Sequence, residues 1–122
     1  MARRMKIIIA GSRSIYDYKI VRACINDCIA QNRIEITTII SGNAIGVDKL
    51  GEKYAEEYKI DTEKYPANWN LYGKSAGYKR NVTMAERADG LIAIWDGGSV
   101  GTKHMIDIAR KKGLDVWVYG GK

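Results

Sequence analysis

The chain has 122 residues, of which 46% are hydrophobic and 28% are charged, and its formal net charge is +6. This length predicts a single domain, residues 1–122, that folds without a disulfide or a structural metal. No apolar run is long enough for a membrane span or a signal-peptide core, so we expect a cytoplasmic protein with no membrane partner. The dispersed excess of basic residues favours an anionic ligand or partner.

Predicted strands and helices alternate along the whole chain. In chain order they are a strand at 6–10, a helix at 17–31, a strand at 34–40, a helix at 47–59, a strand at 60–65, a helix at 74–88, a strand at 90–95, a helix at 102–112 and a strand at 114–119. Continuous apolar strands separated by helices indicate a parallel sheet that is covered on both faces. The sequence therefore predicts a doubly wound, Rossmann-like α/β domain of about five parallel strands.

Cysteine and histidine are too scarce to build a metal site. Cys24 and Cys28 are the only cysteines, and His104 is the only histidine. The spacing of four places both thiols on the apolar face of the first predicted helix, where we interpret them as packed core residues. We therefore expect no metal and no cofactor.

The loop after the first predicted strand reads Gly11-Ser12-Arg13. Doubly wound sheets bind ligands outside the carboxyl ends of their strands, at the point where the strand order reverses. Ser12 and the neighbouring amides could hold a phosphate there, and Arg13 could form a two-pronged hydrogen bond to it.

The loop after the second predicted strand contains Ser41, Gly42, Asn43 and Ala44. Its glycine permits close approach of a ligand, but the loop lacks the lysine of a P-loop, so it is not an ATPase signature. Asp48 lies in the first turn of the following helix. Two roles stay open for it: favourable interaction with the helix dipole, or binding of a ribose hydroxyl or an arginine.

A glycine-rich turn joins the fourth predicted strand to the last helix. A strand, a glycine-rich turn and a helix start form a backbone arrangement suited to phosphate, because free amides at the helix start point at the anion. The candidate ligand-binding residues in this segment, called here the 96–102 turn, are Asp96, Gly97, Gly98, Ser99, Gly101 and Thr102.

The third predicted helix presents Gly77, Arg80, Asn81 and Met84 on one side. If that side faces the strand ends, Arg80 becomes a charge partner for a phosphate, with Asn81 beside it. We interpret Lys74 and Lys79 as solvated residues.

Two aromatic residues, Trp69 and Tyr72, fall in a polar loop that follows the third predicted strand. They could stack on a base, or they could cap the edge of the sheet. The sequence leaves both roles open, and we keep Trp69 as a candidate ligand-binding residue.

Several motifs occur together in one order along residues 6–119. They are Gly11-Ser12-Arg13, Tyr18, Ser41-Gly42-Asn43-Ala44-x-Gly46-Val47-Asp48, Tyr65-Pro66-Ala67-x-Trp69, Tyr72-Gly73-Lys74-x-Ala76-Gly77, Arg80-Asn81-x-x-Met84 and Asp96-Gly97-Gly98-Ser99-x-Gly101-Thr102. This order resembles the SLOG superfamily, named for SMF/DprA and the LOG enzymes, and in particular its small stand-alone YspA-like (cpYpsA-related) branch.

The resemblance implies a Rossmann-like fold that binds a nucleotide or a nucleotide-derived ligand, either ADP-ribose- or NAD-related or a nucleoside monophosphate. Such a protein would act as a sensor or binding module. The resemblance also implies self-association, so we expect a homodimer.

The chain departs from the pattern of the LOG enzymes, which is Pro-Gly-Gly-x-Gly-Thr-x-x-Glu. Asp96 replaces the proline, and no glutamate follows Thr102. A nucleotide N-glycosidase or phosphoribohydrolase is therefore the alternative, with Asp96 or Asp48 as the candidate catalytic acid or base. The second alternative is DprA-like nucleic-acid binding, which the net charge fits, although the sequence has no basic stripe.

Overall fold

The computed structural model describes residues 1–120. In chain order its elements are β1 (Arg3–Gly11), α1 (Tyr18–Asn32), β2 (Ile34–Ser41), α2 (Val47–Tyr58), β3 (Asp61–Lys64), α3 (Trp69–Tyr72), a 3-10 turn (Gly73–Ser75), α4 (Ala76–Arg87), β4 (Gly90–Trp95), α5 (Val100–Lys111) and β5 (Asp115–Gly120). Within these residues, no helix is long and apolar enough to cross a membrane.

The strands form a parallel five-stranded sheet in the order β3-β2-β1-β4-β5. The chain starts in the centre at β1, moves outward through β2 and β3, and then returns to the other side of β1 with β4. The strand order therefore reverses between β1 and β4. The predicted doubly wound α/β fold is confirmed, and its ligand crevice is expected at the carboxyl ends of these two strands.

Alternating isoleucines of the central strands supply both hydrophobic layers. Ile7, Ile9 and Ile39 pack in a cluster with residues of α1 and α2, whereas Ile8 and Ile40 pack in a cluster with residues of α4 and α5. Successive side chains of a strand point to opposite faces, so a continuous isoleucine run fills both layers. These two layers fix the helix N-termini around the carboxyl edge of the sheet.

The third strand differs from the prediction. It is confined to Asp61–Lys64, a charged and mostly exposed edge strand, and the apolar residues Ile60 and Tyr65 lie just outside it. Charge and shortness are typical of an edge strand, because they discourage pairing with another chain. The prediction of an apolar strand was wrong at this position.

Two helix predictions also need correction. Trp69 and Tyr72 lie in the short helix α3 and not in a loop, because the Asn68 side chain caps its start by accepting from Leu71 N at 3.0 Å. Helical spacing from Cys24 and Tyr54 places Ile20 and Tyr58 beside the apolar faces of α1 and α2, but both side chains are exposed.

The thiols of Cys24 and Cys28 are free, and Cys28 is fully buried. Burial is the main effect that raises the pKa of both thiols, in agreement with packed, unreactive cysteines.

Candidate functional site

The loops that leave the carboxyl ends of β1 and β2 meet the N-termini of α4 and α5 around a cleft of about 200 Å³. We call it the switch-point cleft, because it lies where the strand order reverses. Its lining residues are Ala10, Gly11, Arg13, Ala44, Asp48, Trp69, Lys74, Gly77, Tyr78, Arg80, Asn81, Met84, Ser99, Gly101, Thr102 and Met105.

The end of β1 brings the first predicted loop to this cleft. A Cβ on Gly11 would lie 2.0 Å from the carbonyl oxygen of Ile94, so β1 and β4 approach closely only because residue 11 is glycine. Ser12 is fully buried, and its hydroxyl accepts from Asp96 N at 2.9 Å. The Ser12 side chain therefore ties the two loops together and does not line the cleft.

Arg13 follows immediately and is exposed at the cleft. Within residues 1–120 its guanidinium forms no ion pair. Its charge also lowers the pKa of Arg80, after the larger effect of burial on that group. Two guanidinium groups therefore share one small space, which attracts an anion.

The Asp96 carboxylate organises the 96–102 turn. It accepts from Gly98 N at 2.8 Å, from Ser99 N at 3.1 Å and from Ser14 Oγ at 3.1 Å. Hydrogen bonds, the Gly98 amide first among them, hold the pKa of Asp96 below its usual range. Asp96, Gly97 and Gly98 build the turn but do not line the switch-point cleft.

The start of α5 supplies the part of this segment that does line the cleft, namely Ser99, Gly101 and Thr102. Ser99 is the N-cap, and its Oγ accepts from Thr102 N at 3.3 Å. The amides of Val100 and Gly101 have no acceptor in the part of the chain that the structure describes. Free first-turn amides at the positive end of a helix dipole are suited to binding an anion.

The loop after β2 divides its residues between structural and cleft positions. Ser41 is fully buried, and its hydroxyl donates to Glu52 at 2.7 Å and accepts from Asn43 N at 3.0 Å. Ser41 therefore does not reach the switch-point cleft. Gly42 and Asn43 line an adjoining groove of about 400 Å³, which shares the side chains of Arg13, Ala44, Trp69 and Arg80 with the cleft.

Asp48 brings a carboxyl group into the cleft from the first turn of α2. It is 6% exposed, and its Oδ2 accepts from Ala44 N at 3.3 Å. Burial raises the pKa of Asp48 to about 6, although the nearby Arg80 and the backbone amides lower it. Of the residues that the structure describes, Asp48 is the only carboxylate in the cleft lining.

Arg80 reaches the predicted place, but most of its donors are already used. Its guanidinium donates to the Gly42 carbonyl, to the Tyr65 carbonyl at 3.4 Å and, through Nε, to Asn81 Oδ1 at 3.1 Å. Arg80 therefore joins the loops after β2 and β3 to α4. Arg13 is the freer cation for a ligand.

Asn81 connects α4 to α5 and is only 5% exposed. Because its Oδ1 accepts from Arg80, its Nδ2 donates to the Gly101 carbonyl at 3.3 Å and to His104 Nδ1 at 3.1 Å. Burial lowers the pKa of His104, in agreement with a neutral ring that accepts at Nδ1. The sequence analysis did not assign His104 this supporting role, which depends on how two helices pack.

Aromatic side chains flank the cleft on the α3–α4 side. Trp69 is 52% exposed and Tyr78 is 44% exposed, and both line the cleft. Tyr78 was not predicted as a site residue, although its spacing from Asn81 places it near the predicted face of the helix. Lys74, interpreted as merely solvated, also lines the cleft, whereas Tyr72 lies outside it beneath the Lys79 ammonium.

Comparison with known proteins identifies the family. Residues 5–72 match the model of YAcAr, the YspA, cpYpsA-related SLOG family. The chain is also 31% identical over 123 residues to the Gene 61 protein of Mycobacterium phage D29, covering 96% of this chain and 98% of that protein.

Among solved structures, DNA processing protein A (DprA) from Streptococcus pneumoniae resembles the chain with a TM-score of 0.73 and 20% identity. The match covers 96% of this chain and 50% of DprA, so the chain spans about half the length of that protein. This likeness shows a shared fold. The family model, which matches more than half of the chain, shows that the chain belongs to the YspA, cpYpsA-related SLOG family.

Proposed function

We propose that the switch-point cleft binds a nucleotide or nucleotide-derived ligand, and that the protein acts as a sensor or binding module. The observation that carries the proposal is the polarity of the cleft. The cleft is lined by the free amide of Gly101 at the start of α5, by Arg13, which forms no ion pair within residues 1–120, and by the exposed ring of Trp69. A nucleotide has the matching polarity, with an anionic phosphate and a flat base.

The phosphate is assigned to the start of α5. The amide of Gly101 supplies a donor, next to the free amide of Val100, and the guanidinium of Arg13 supplies charge. A Cβ on Gly101 would meet nothing within 4 Å, so the fold does not need glycine there. Close approach of a ligand to the backbone explains its presence.

The base is assigned to Trp69, which lines both the cleft and the adjoining groove, whereas the Tyr78 ring packs edge-on against His104 of α5. An exposed aromatic ring leaves apolar surface in contact with water, and a stacked base would bury that surface. The adjoining groove leaves room for a second moiety, as in ADP-ribose or NAD, beyond what a nucleoside monophosphate needs. Both ligand types are therefore included in the proposal.

Thermal denaturation with a ligand panel tests the proposal. AMP, ADP-ribose, cyclic ADP-ribose, NAD and a single-stranded oligonucleotide are compared, since a ligand at a hundred times its Kd stabilises a protein by about 2.7 kcal/mol. We expect stabilisation by at least one nucleotide without turnover. The absence of any shift would contradict the proposal, and oligonucleotide binding with steep salt dependence would point to nucleic-acid binding.

Arg13→Gln provides the matched variant. Loss of a charged hydrogen bond, worth about 1.5–3 kcal/mol, should weaken nucleotide binding by about tenfold to a hundredfold. Arg4→Gln is the control, because Arg4 is an exposed arginine at the opposite end of β1 and does not line the cleft. Equal affinities of the two variants would contradict the assignment of the phosphate.

Asp48 favours one second candidate, hydrolysis of the N-glycosidic bond of a nucleotide. A carboxyl group with a pKa of about 6, inside the cleft, is suited to acid–base chemistry near neutral pH. Asp96 is less suited, because it is held ionised outside the cleft. Release of free base from AMP, abolished by Asp48→Asn and retained by Asp96→Asn, would support the enzyme over the binding module.

A further inference from the structure

The Asp48 carboxylate is buried in the first turn of α2, where the helix dipole favours it, but its position is not that of a cap. Asp48 is not the N-cap of α2, since Gly46 holds that position without a side-chain hydrogen bond. The bond from Ala44 N to Oδ2 could equally be made to the amide oxygen of asparagine. Keeping a carboxylate at a site that is 6% exposed opposes folding unless the charge is well paired.

No cation in residues 1–120 pairs directly with Asp48. Arg80 is the nearby positive charge, but the two groups form no ion pair within 4.0 Å, because Arg80 donates to the Gly42 and Tyr65 carbonyls and to Asn81. The backbone amides of Ala44 and Gly11 bond to Asp48, but a carboxylate accepts about four hydrogen bonds, so Asp48 retains acceptor capacity in the switch-point cleft.

The other ligand-facing polar groups of the cleft are mainly donors. They include the guanidinium of Arg13, the ammonium of Lys74 and the free amides at the start of α5. These groups suit the acceptor oxygens of a phosphate, whereas Asp48 requires hydrogen-bond donors. In a nucleotide the donors close to the phosphate are the ribose hydroxyls, and two adjacent hydroxyls match the two oxygens of one carboxylate.

We infer that Asp48 accepts hydrogen bonds from the ribose 2′,3′-diol of the ligand and thereby selects ribonucleotides over 2′-deoxyribonucleotides. This inference rests on the proposed nucleotide-binding function. It gives Asp48 a specificity role that is separate from the phosphate contacts of Arg13 and α5. The exocyclic amine of an adenine base is the competing donor, and the test must distinguish the two.

Calorimetric titration with AMP, 2′-deoxy-AMP and IMP tests the inference, with ADP-ribose and its 2′-deoxy analogue as a second pair. The wild-type protein should bind AMP about ten- to a hundredfold more tightly than 2′-deoxy-AMP, since a site built for a hydroxyl rejects the analogue that lacks it. IMP, which lacks the amine but keeps the diol, should bind about as tightly as AMP. In Asp48→Asn, the preference for the ribose form should fall below about threefold.

Glu56→Gln is the matched control. Glu56 lies on the same helix, is exposed and does not line the cleft. This variant should keep the wild-type preference for AMP over 2′-deoxy-AMP. If Asp48→Asn does not fold, equal binding of AMP and 2′-deoxy-AMP by the wild-type protein still overturns the inference.

The outcomes separate the two proposals. Equal binding of AMP and 2′-deoxy-AMP by the wild-type protein, a preference that survives in Asp48→Asn, or a large loss with IMP would overturn the diol assignment and leave the proposed function standing. The absence of binding by AMP and ADP-ribose alike would overturn the proposed function and this inference with it.

Discussion

Asp48 and Arg80 lie on either side of Gly42. A Cβ built on Gly42 would be 2.7 Å from Asp48 Oδ2 and 2.6 Å from Arg80 Nη1. The glycine therefore lets the guanidinium reach the Gly42 carbonyl while it remains close enough to Asp48 to lower that carboxyl's pKa. This relationship sets the shape and the charge of one wall of the cleft.

Gly42→Ala tests this relationship. The added methyl group should displace Arg80 or Asp48 and lower the free energy of unfolding by about 1–3 kcal/mol, the usual range for overpacking. Displacement of Arg80 should also raise the pKa of Asp48 further. Urea denaturation at neutral pH measures the loss, and a variant as stable as the wild-type protein would show that neither side chain is held in place.

Gly101→Ala should raise the stability of the protein while it weakens nucleotide binding. Because a Cβ there meets no atom within 4 Å, and alanine is favoured over glycine in a helix, the free energy of unfolding should rise by up to about 1 kcal/mol. The methyl group lies at the proposed phosphate position, so nucleotide affinity should fall. Thermal denaturation with and without AMP measures both quantities, and unchanged affinity would place the phosphate elsewhere.

The pH dependence of stability should report the buried Asp48 carboxyl. Its pKa is about 6 in the folded protein and 3.8 in the free group, so the folded state holds the proton more tightly. Relative to Asp48→Asn, the wild-type protein should therefore lose stability as pH rises from about 4 to 6, by at most about 3 kcal/mol. Two charged groups act on Asp48: Arg80 lowers its pKa and Glu52 raises it.

Urea denaturation of the two proteins between pH 4 and 7 measures this difference. Using the difference removes the contributions of other carboxyls, such as Asp96, that are common to both proteins. A stability difference that is constant across this range would mean that Asp48 titrates like an exposed aspartate.

The sequence predicted the central fold because the isoleucine runs of β1 and β2 can only be buried on two faces. The edge strand β3 was harder to predict, because its residues are charged and its apolar neighbours Ile60 and Tyr65 lie outside it. The short helix α3 was also missed, because four residues are too few to show helical periodicity.

The site was predicted at the level of loops and less well at the level of side chains. Ser12, Ser41 and Arg80 have the groups that bind phosphate, but their tertiary neighbours use those groups for internal hydrogen bonds. Tyr78 and Lys74 reach the cleft through the packing of α4, which no local pattern specifies. The homodimer stays a prediction.

The most direct test of nucleotide binding at the switch-point cleft is an ¹⁵N NMR titration of the protein with AMP and ADP-ribose. The amide of Gly101 and the indole N–H of Trp69, which line the cleft, should shift, while the indole of Trp117, which packs in the core on the α1–α2 side of the sheet, should not. Absence of shifts, or shifts confined to the α1–α2 side, would contradict the account.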